Sequence, residues 1–337
     1  MKKIQISFLF LTLTAILFLS GCTKNQEPLT KTDFYFDTVV TLTLYDSSAE
    51  EKLEGCFDLA DKYEKLLSAT VKGSDVWNIN HAEGAPVKVS DETMTLLQKA
   101  IHYSTLSNGS FDITIGALSS LWDFGDHQGS VPSQEDIDTA LATVGYEKIQ
   151  IDEADKTVTL ADPDTRIDLG GIAKGYIADQ MKVYLNKNGI HEGIINLGGN
   201  VLTVGEKSSG ETYKIGIQKP FDANGASIAS VEIGDDSLVS SGVYERYFET
   251  DGKRYHHILD PATGYPYDNE LLGVTIITGS SADADALSTT CFALGLEDGM
   301  ALVEDTEDVE AIFITDDYQI HKSSGIGREI PFKKTAD

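Results

Sequence analysis

Hydrophobic positions along the chain change their period several times, and each change marks an element. Residues 34–45 alternate, with Val40, Leu42 and Leu44 on one side, which predicts a strand. Over 50–67 the spacing lengthens to three and four. Leu53, Phe57, Leu59, Ala60, Tyr63, Leu66 and Leu67 form an apolar stripe, while Glu51, Glu54, Asp58 and Lys62 face water, as in an amphipathic helix. A second helix is predicted over 91–106, and Ser133-Gln-Glu-Asp136 after Pro132 resembles a capping-box start to a third. From Lys148 onward short strands dominate: 149–151, 157–160, 166–169, 193–204, 213–217, 228–233, 243–249, 254–259 and 274–278. Helices interrupt them at 172–188, stopping near Gly189, and at 282–296, and a hairpin over 311–315 and 318–321 closes the pattern. The expected class is α+β, a mixed or antiparallel sheet core with flanking helices, in one domain over 33–337 divisible into a helix-rich part (33–147) and a sheet-rich part (148–337).

Upstream of this pattern, Lys2 and Lys3 precede an uncharged, mostly apolar run over 4–20 that ends in Leu19-Ser-Gly-Cys22. That arrangement reads as a bacterial lipoprotein signal peptide (1–21) with Cys22 as the lipidated residue, and 22–32 as a polar, flexible tether. An ordinary signal peptide or a short anchor is the alternative, although Gln5, Ser7, Thr12 and Thr14 break the run. The protein is expected on the extracytoplasmic side of the cell membrane, held by lipid. Charge narrows the field further: the 337 residues carry 26 Lys and Arg against 54 Asp and Glu, a net −28, which disfavours nucleic acid and anionic surfaces as partners. Three cysteines without a CxxC pair exclude a disulfide framework and a structural zinc site.

The chain has no GxSxG, HExxH, GxGxxG or GxxxxGK[ST]; Gly170 and Gly175 have P-loop spacing, but Tyr176 stands where the lysine belongs. Four polar, glycine-rich segments remain. Asn108-Gly-Ser-Phe-Asp-Ile-Thr-Ile-Gly116, followed by Leu121-Trp-Asp-Phe-Gly125, can hold a planar ligand or can be a loop packed by its own aromatics. Arg166-Ile-Asp-Leu-Gly-Gly-Ile-Ala-Lys-Gly-Tyr-Ile-Ala-Asp179 reads as a strand, a glycine turn and a helix start suited to anionic oxygens, or as a plain strand-to-helix turn. Tyr255-His-His-Ile-Leu-Asp-Pro-Ala-Thr-Gly264 ends a strand with two histidines on opposite faces, of which at most one is catalytic. In Ser281-Ala-Asp-Ala-Asp-Ala-Leu-Ser-Thr-Thr290, Asp285, Ser288 and Thr289 stand at i, i+3 and i+4, so their oxygens share one helical face. Hard oxygens so placed suit Mg²⁺; helix-cap chemistry is the plainer reading.

In this order the segments, with Phe36-Asp-Thr38 and Asn196-Leu-Gly-Gly-Asn200, resemble the FAD:protein FMN transferase (ApbE) family, which includes exported lipoproteins. The resemblance runs from about Phe34 to the C-terminus. It implies that FAD, the substrate, lies against Phe36, Thr70, Ser110, Phe111, Asp112, Asp168, Lys174 and Leu259. It implies further that Mg²⁺ is held by the backbone carbonyl of Gly171 and by Asp285 and Thr289, with Ser288 nearby. Some relatives carry Met in place of Phe36, an acidic residue in place of Lys174 and Asp in place of Ser288. The implied reaction cleaves the FAD pyrophosphate, attaches FMN by a phosphoester to a Thr or Ser of an exported acceptor protein, and releases AMP. His257 is the candidate for proton transfer or phosphate orientation, and Asp285 does metal work first and any base work second. Two alternatives stay open: a Mg²⁺-dependent FAD pyrophosphatase, and a noncatalytic flavin-binding lipoprotein.

Overall fold

The computed structural model describes residues 27–46, 49–125 and 130–335. The signal segment and Cys22 lie outside the described residues. An eight-stranded sheet forms the centre, in the spatial order Leu29–Tyr35, Thr38–Leu44, Gly193–Leu197, Asn200–Val204, Ser237–Gly242, Leu271–Thr278, Glu310–Thr315 and Ile320–Lys322. Every neighbouring pair is antiparallel. Two of its strands come from the helix-rich part of the chain and six from the sheet-rich part, so position 147 does not divide the sheet.

The alternation over 34–45 is not one strand but the end of a hairpin. Leu29–Tyr35 and Thr38–Leu44 pair from Leu29↔Leu44 to Tyr35↔Thr38, and Phe36 and Asp37 make the turn, each at φ 55°. Two left-handed residues are what a tight hairpin with the sheet's twist requires, and Asn-Gly is their usual carrier. This hairpin also corrects the tether: Leu29 to Thr32 are already paired, so the ordered fold starts before Asp33. The span 193–204 likewise folds into two strands, turning at Gly198 and Gly199 (φ 60° and 91°). A Cβ on Gly198 would lie 2.1 Å from Thr38 Oγ1, so the turn needs glycine for packing as well as for its backbone.

Other boundaries shift for local reasons. The expected strand at 166–169 makes only a single bridge, Arg166 with Ile115. It is held instead by the buried Asn80, whose Nδ2 donates to Ile167 O (2.8 Å) and whose Oδ1 accepts from Ile167 N–H (2.7 Å). Asn80 closes the short helix Asp75–Asn80. The central strand Ser237–Gly242 has too few apolar residues to stand out, because buried Ser237 satisfies its hydroxyl on Ser281 Oγ at 2.9 Å.

Helices Glu50–Leu67, Asp91–Leu106 and Ala173–Lys187 fall where the spacing places them, and Ser133 caps Gln134–Leu141 by accepting from Asp136 N–H. The last helix, Ser281–Glu304, runs eight residues past the expected end at 296, through a non-helical Gly295. Its first half is buried on nearly all sides, from Ala282 to Phe292, between the sheet and Ala173–Lys187. Closest approach occurs at Gly175, where a Cβ would lie 2.1 Å from Ser281 O. A satellite core of Leu118, Trp122, Phe124, Ile137, Phe248 and Leu259 packs beside the main one.

Candidate active site

Gly175 and the helix it touches build the site. Because the two helices meet backbone to backbone, Gly175 N–H reaches Asp285 Oδ2 at 2.9 Å and fixes that carboxylate, which is 3% exposed. Asp179, one turn further along, accepts from Ser281 N–H (2.9 Å) and Ala282 N–H (3.0 Å) and caps the second helix. Lys174 Nζ donates to Gly170 O at 3.0 Å and lies 3.4 Å from Asp285 Oδ1. On the next turn, Ser241 Oγ lies 2.7 Å from Ser288 Oγ and 3.1 Å from Thr289 Oγ1. A Cβ on Gly171 would lie 3.7 Å from Thr289 Oγ1 and 3.0 Å from the ring of Phe111. The structure therefore brings Gly171, Asp285 and Thr289 together, with Phe111 against them. Ser288 also donates to Asp285 O at 2.9 Å, so its buried hydroxyl is engaged within the helix and with Ser241.

This donor set suits a hard divalent cation. It offers one carboxylate, a hydroxyl and the carbonyls of a glycine turn, all oxygen, and a Cβ at Gly171 would press on the ring of Phe111 beside it. Among the described residues no cluster of three or more His, Cys, Asp or Glu offers a site for a softer metal. Few protein ligands leave room for water and phosphate oxygens, as Mg²⁺ prefers.

The two histidines differ in surroundings: His256 ends the strand Lys253–His256 and His257 follows it. His256 is 7% exposed; its Nε2 donates to Tyr267 O (2.9 Å) and its Nδ1 accepts from Ile258 N–H (3.3 Å). Burial pushes its pKa down to about 4, so it is a neutral structural group. His257 is half-buried, with Nδ1 directed at Arg246 O at 3.2 Å. A carbonyl partner puts the proton on Nδ1 and leaves Nε2 as a lone pair. Loss of solvation, followed by the charges of His256, Arg246 and Lys174, lowers its pKa to about 3, so it is neutral at physiological pH.

The remaining predicted residues surround this centre in different ways. Asp168 accepts from Gly170 N–H (2.8 Å) and Ser119 Oγ (3.0 Å) and shapes the glycine turn. Asp112 is buried and occupied: Thr114 N–H and Oγ1 and Tyr146 N–H donate to it, while burial raises its pKa. Ser110 presents its carbonyl to Tyr267 OH at 2.8 Å. Leu259 puts its side chain in the satellite core. Thr70 is exposed on a loop, 3.0 Å from Ser68 Oγ. Phe36 is half-buried at the hairpin turn, its N–H on Glu64 Oε1. The aromatic run at 121–125 offers no flat surface, since Trp122 is 0% exposed, Phe124 is buried, and Trp122 Nε1 donates to Gly264 O.

One contributor, the segment from Ser241 to Arg246, corrects the sequence reading: the strand expected over 243–249 begins only at Tyr247, and the residues before it turn out of the central strand Ser237–Gly242 into the site. Ser241 holds Ser288 and Thr289, Arg246 O orients His257, and Arg246 Nη2 reaches Asp37 O at 3.4 Å. Between them Glu245 keeps solvent access but is enclosed enough that desolvation lifts its carboxyl to about 7; Asp285 adds to the rise, and Lys174 and Arg246 oppose it. No motif marks this segment; only its Gly242-Val-Tyr turn after a serine-rich strand could have.

Known proteins share this architecture. The ApbE family model matches residues 36–313. A Klebsiella pneumoniae relative named FAD:protein FMN transferase is 44% identical over 286 residues, covering 85% of this chain and 88% of its own length. A Treponema pallidum protein of the same name is 35% identical, covering 81% and 80%. Among solved structures, the ApbE protein of Thermotoga maritima superposes with TM-score 0.81 at 31% identity, covering 88% of this chain and 97% of its own. The flavin transferase ApbE of Vibrio cholerae gives 0.78 at 30% identity, with the same coverage. By sequence and by fold, the chain belongs to the ApbE family.

Proposed function

We propose that this protein is a Mg²⁺-dependent FAD:protein FMN transferase, exported and held at the membrane by lipid on Cys22. The observation that carries the reading is that the Asp285 carboxylate, held by Gly175 N–H, and the Thr289 hydroxyl, beside Gly171, stand one helical turn apart at the glycine turn. When bound there, Mg²⁺ supplies charge neutralisation to the pyrophosphate oxygens of FAD. Asp285, fixed by Gly175 N–H, and Thr289, fixed by Ser241, would hold the cation.

The chain's own residues position the rest. The Phe36 turn, the Ser110-Phe111-Asp112 loop and the Asp168 turn line the flavin side. The acceptor's Thr or Ser oxygen attacks the FMN phosphorus, its proton passes to His257 Nε2, and the P–O bond to AMP breaks with the bridging oxygen leaving on AMP. The low pKa of His257 keeps that nitrogen unprotonated, and the negative charge of a nearby pyrophosphate raises its basicity when substrate is present. Arg246 O keeps the ring in the useful tautomer.

Incubation with FAD and Mg²⁺, with and without an acceptor protein, tests the reading by following AMP, free FMN and protein-bound flavin. Transfer gives AMP and bound flavin in equal amounts. AMP with free FMN, acceptor or not, identifies a pyrophosphatase, and intact FAD on the protein identifies a carrier; either result overturns the proposal.

A further inference from the structure

Lys174 occupies an unusual position for a cation beside a metal-binding set. Its Nζ lies 3.4 Å from Asp285 Oδ1 and donates to Gly170 O, the carbonyl next to that of Gly171. The Asp285 side chain is only 4% exposed, and among the described residues Lys174 is the one cation that pairs with it. Its other oxygen is taken by a neutral N–H. The ammonium therefore supplies the charge that a buried carboxylate needs, and it does so from the space between Asp285 and the glycine turn. Lys174 shares with Arg246 the surroundings of His257 and Glu245, but of the two only Lys174 pairs with Asp285.

A monovalent ammonium and a divalent ion compete for one carboxylate, because like charges a few ångströms apart repel. We infer that Lys174 is a built-in competitor for the metal: it neutralises Asp285 until a divalent cation displaces it, and the displaced ammonium then turns to the FAD pyrophosphate. This inference rests on the proposed function and adds a linkage to it. The side chain is 27% exposed and has a flexible four-carbon stem, so it can move without disturbing its helix. Metal alone must expel a cation into a site with no anion to receive it. Metal arriving with FAD finds phosphate oxygens for both charges, so each ligand strengthens the other.

Calorimetric titration of the full chain with Mg²⁺ tests this without reference to turnover. In the absence of FAD, Lys174→Met is expected to bind Mg²⁺ at least about tenfold more tightly than wild type, and Lys174→Arg, which keeps the charge, is expected to stay near wild type. With FAD present, wild type is expected to gain Mg²⁺ affinity and Lys174→Met to gain much less. Asp285→Ala identifies the site and is expected to lose Mg²⁺ binding. Unchanged or weaker Mg²⁺ affinity in Lys174→Met, with binding lost in Asp285→Ala, overturns the competition and leaves the metal site standing. Equal binding in wild type and Asp285→Ala overturns the metal site and the inference with it.

Discussion

Replacing Gly175 with alanine is expected to damage stability and metal binding together, because one close contact serves both. The added Cβ would lie 2.1 Å from Ser281 O, 2.5 Å from Ser281 C and 2.8 Å from Ala282 Cα, all backbone atoms of the neighbouring helix. A carbon needs roughly 3.3 Å or more from a carbonyl oxygen, so the helices must part by about 1 Å. Overpacking of this kind costs about 1–3 kcal/mol, and the better helix propensity of alanine returns about 0.5–1 kcal/mol. The same movement stretches the 2.9 Å bond from Gly175 N–H to Asp285, and a hydrogen bond to a charged group contributes about 1.5–3 kcal/mol. A total loss of about 2–4 kcal/mol follows, or a melting-point drop of roughly 3–6 °C for a chain of this size. Urea unfolding measures the first effect, and Mg²⁺ half-saturation of AMP release measures the second, expected to rise at least about tenfold. Gly234→Ala is the control, since a Cβ there meets nothing within 4 Å. If Gly175→Ala behaves like Gly234→Ala in both assays, the helix contact does not position Asp285.

Three further outcomes are expected. His257→Ala should lose about 10²- to 10⁴-fold in transfer rate at saturating FAD and Mg²⁺. His256→Ala should instead lose about 1–3 kcal/mol of stability, by unpairing Tyr267 O and Ile258 N–H, with the folded fraction still active; similar rate losses in both would deny His257 its role. Acid should destabilise the protein through His256: its folded pKa is depressed, so the stability it contributes is present above the unfolded value near 6.5 and is lost as pH falls toward 4. Urea unfolding at pH 7 and pH 4.5 should show about 2–3 kcal/mol of that loss missing in His256→Gln, and an identical pH slope in the variant would count against it. Cys22→Ser should release or misprocess the protein, and mass spectrometry of the mature N-terminus decides; an unmodified chain cleaved elsewhere would refute the anchor.

Much of this architecture was legible wherever one physical signal acted alone. The stripe over 50–67 needed only helical spacing, and Ser133 needed only a cap. The oxygens of Asp285 and Thr289 fell together because a helix puts i and i+4 on one face. Legibility failed where turns lacked their usual residues or tertiary contacts replaced apolar side chains. Phe36 and Asp37 adopt left-handed backbone without glycine, so the alternation read straight through a hairpin. Asn80 substitutes its amide for a neighbouring strand beside Ile167, and a stretch of β-like composition stays outside the sheet. Glu245 and Arg246 lie in a stretch that read as a strand over 243–249; with Ser241 they reach the site only because the central strand ends at Gly242 and the chain turns there. Gly171 came from the resemblance to the family alone, since a backbone carbonyl proposed as a ligand leaves no side-chain signal.

The most direct test of the metal-centred account is AMP release from FAD by wild type and Asp285→Ala across a Mg²⁺ titration, with FAD binding followed in the same samples by flavin fluorescence. The expected result is that Asp285→Ala still binds FAD yet releases almost no AMP at any Mg²⁺ concentration, and that chelation stops wild type. AMP release at the wild-type rate by Asp285→Ala, or by wild type in excess chelator, would contradict it.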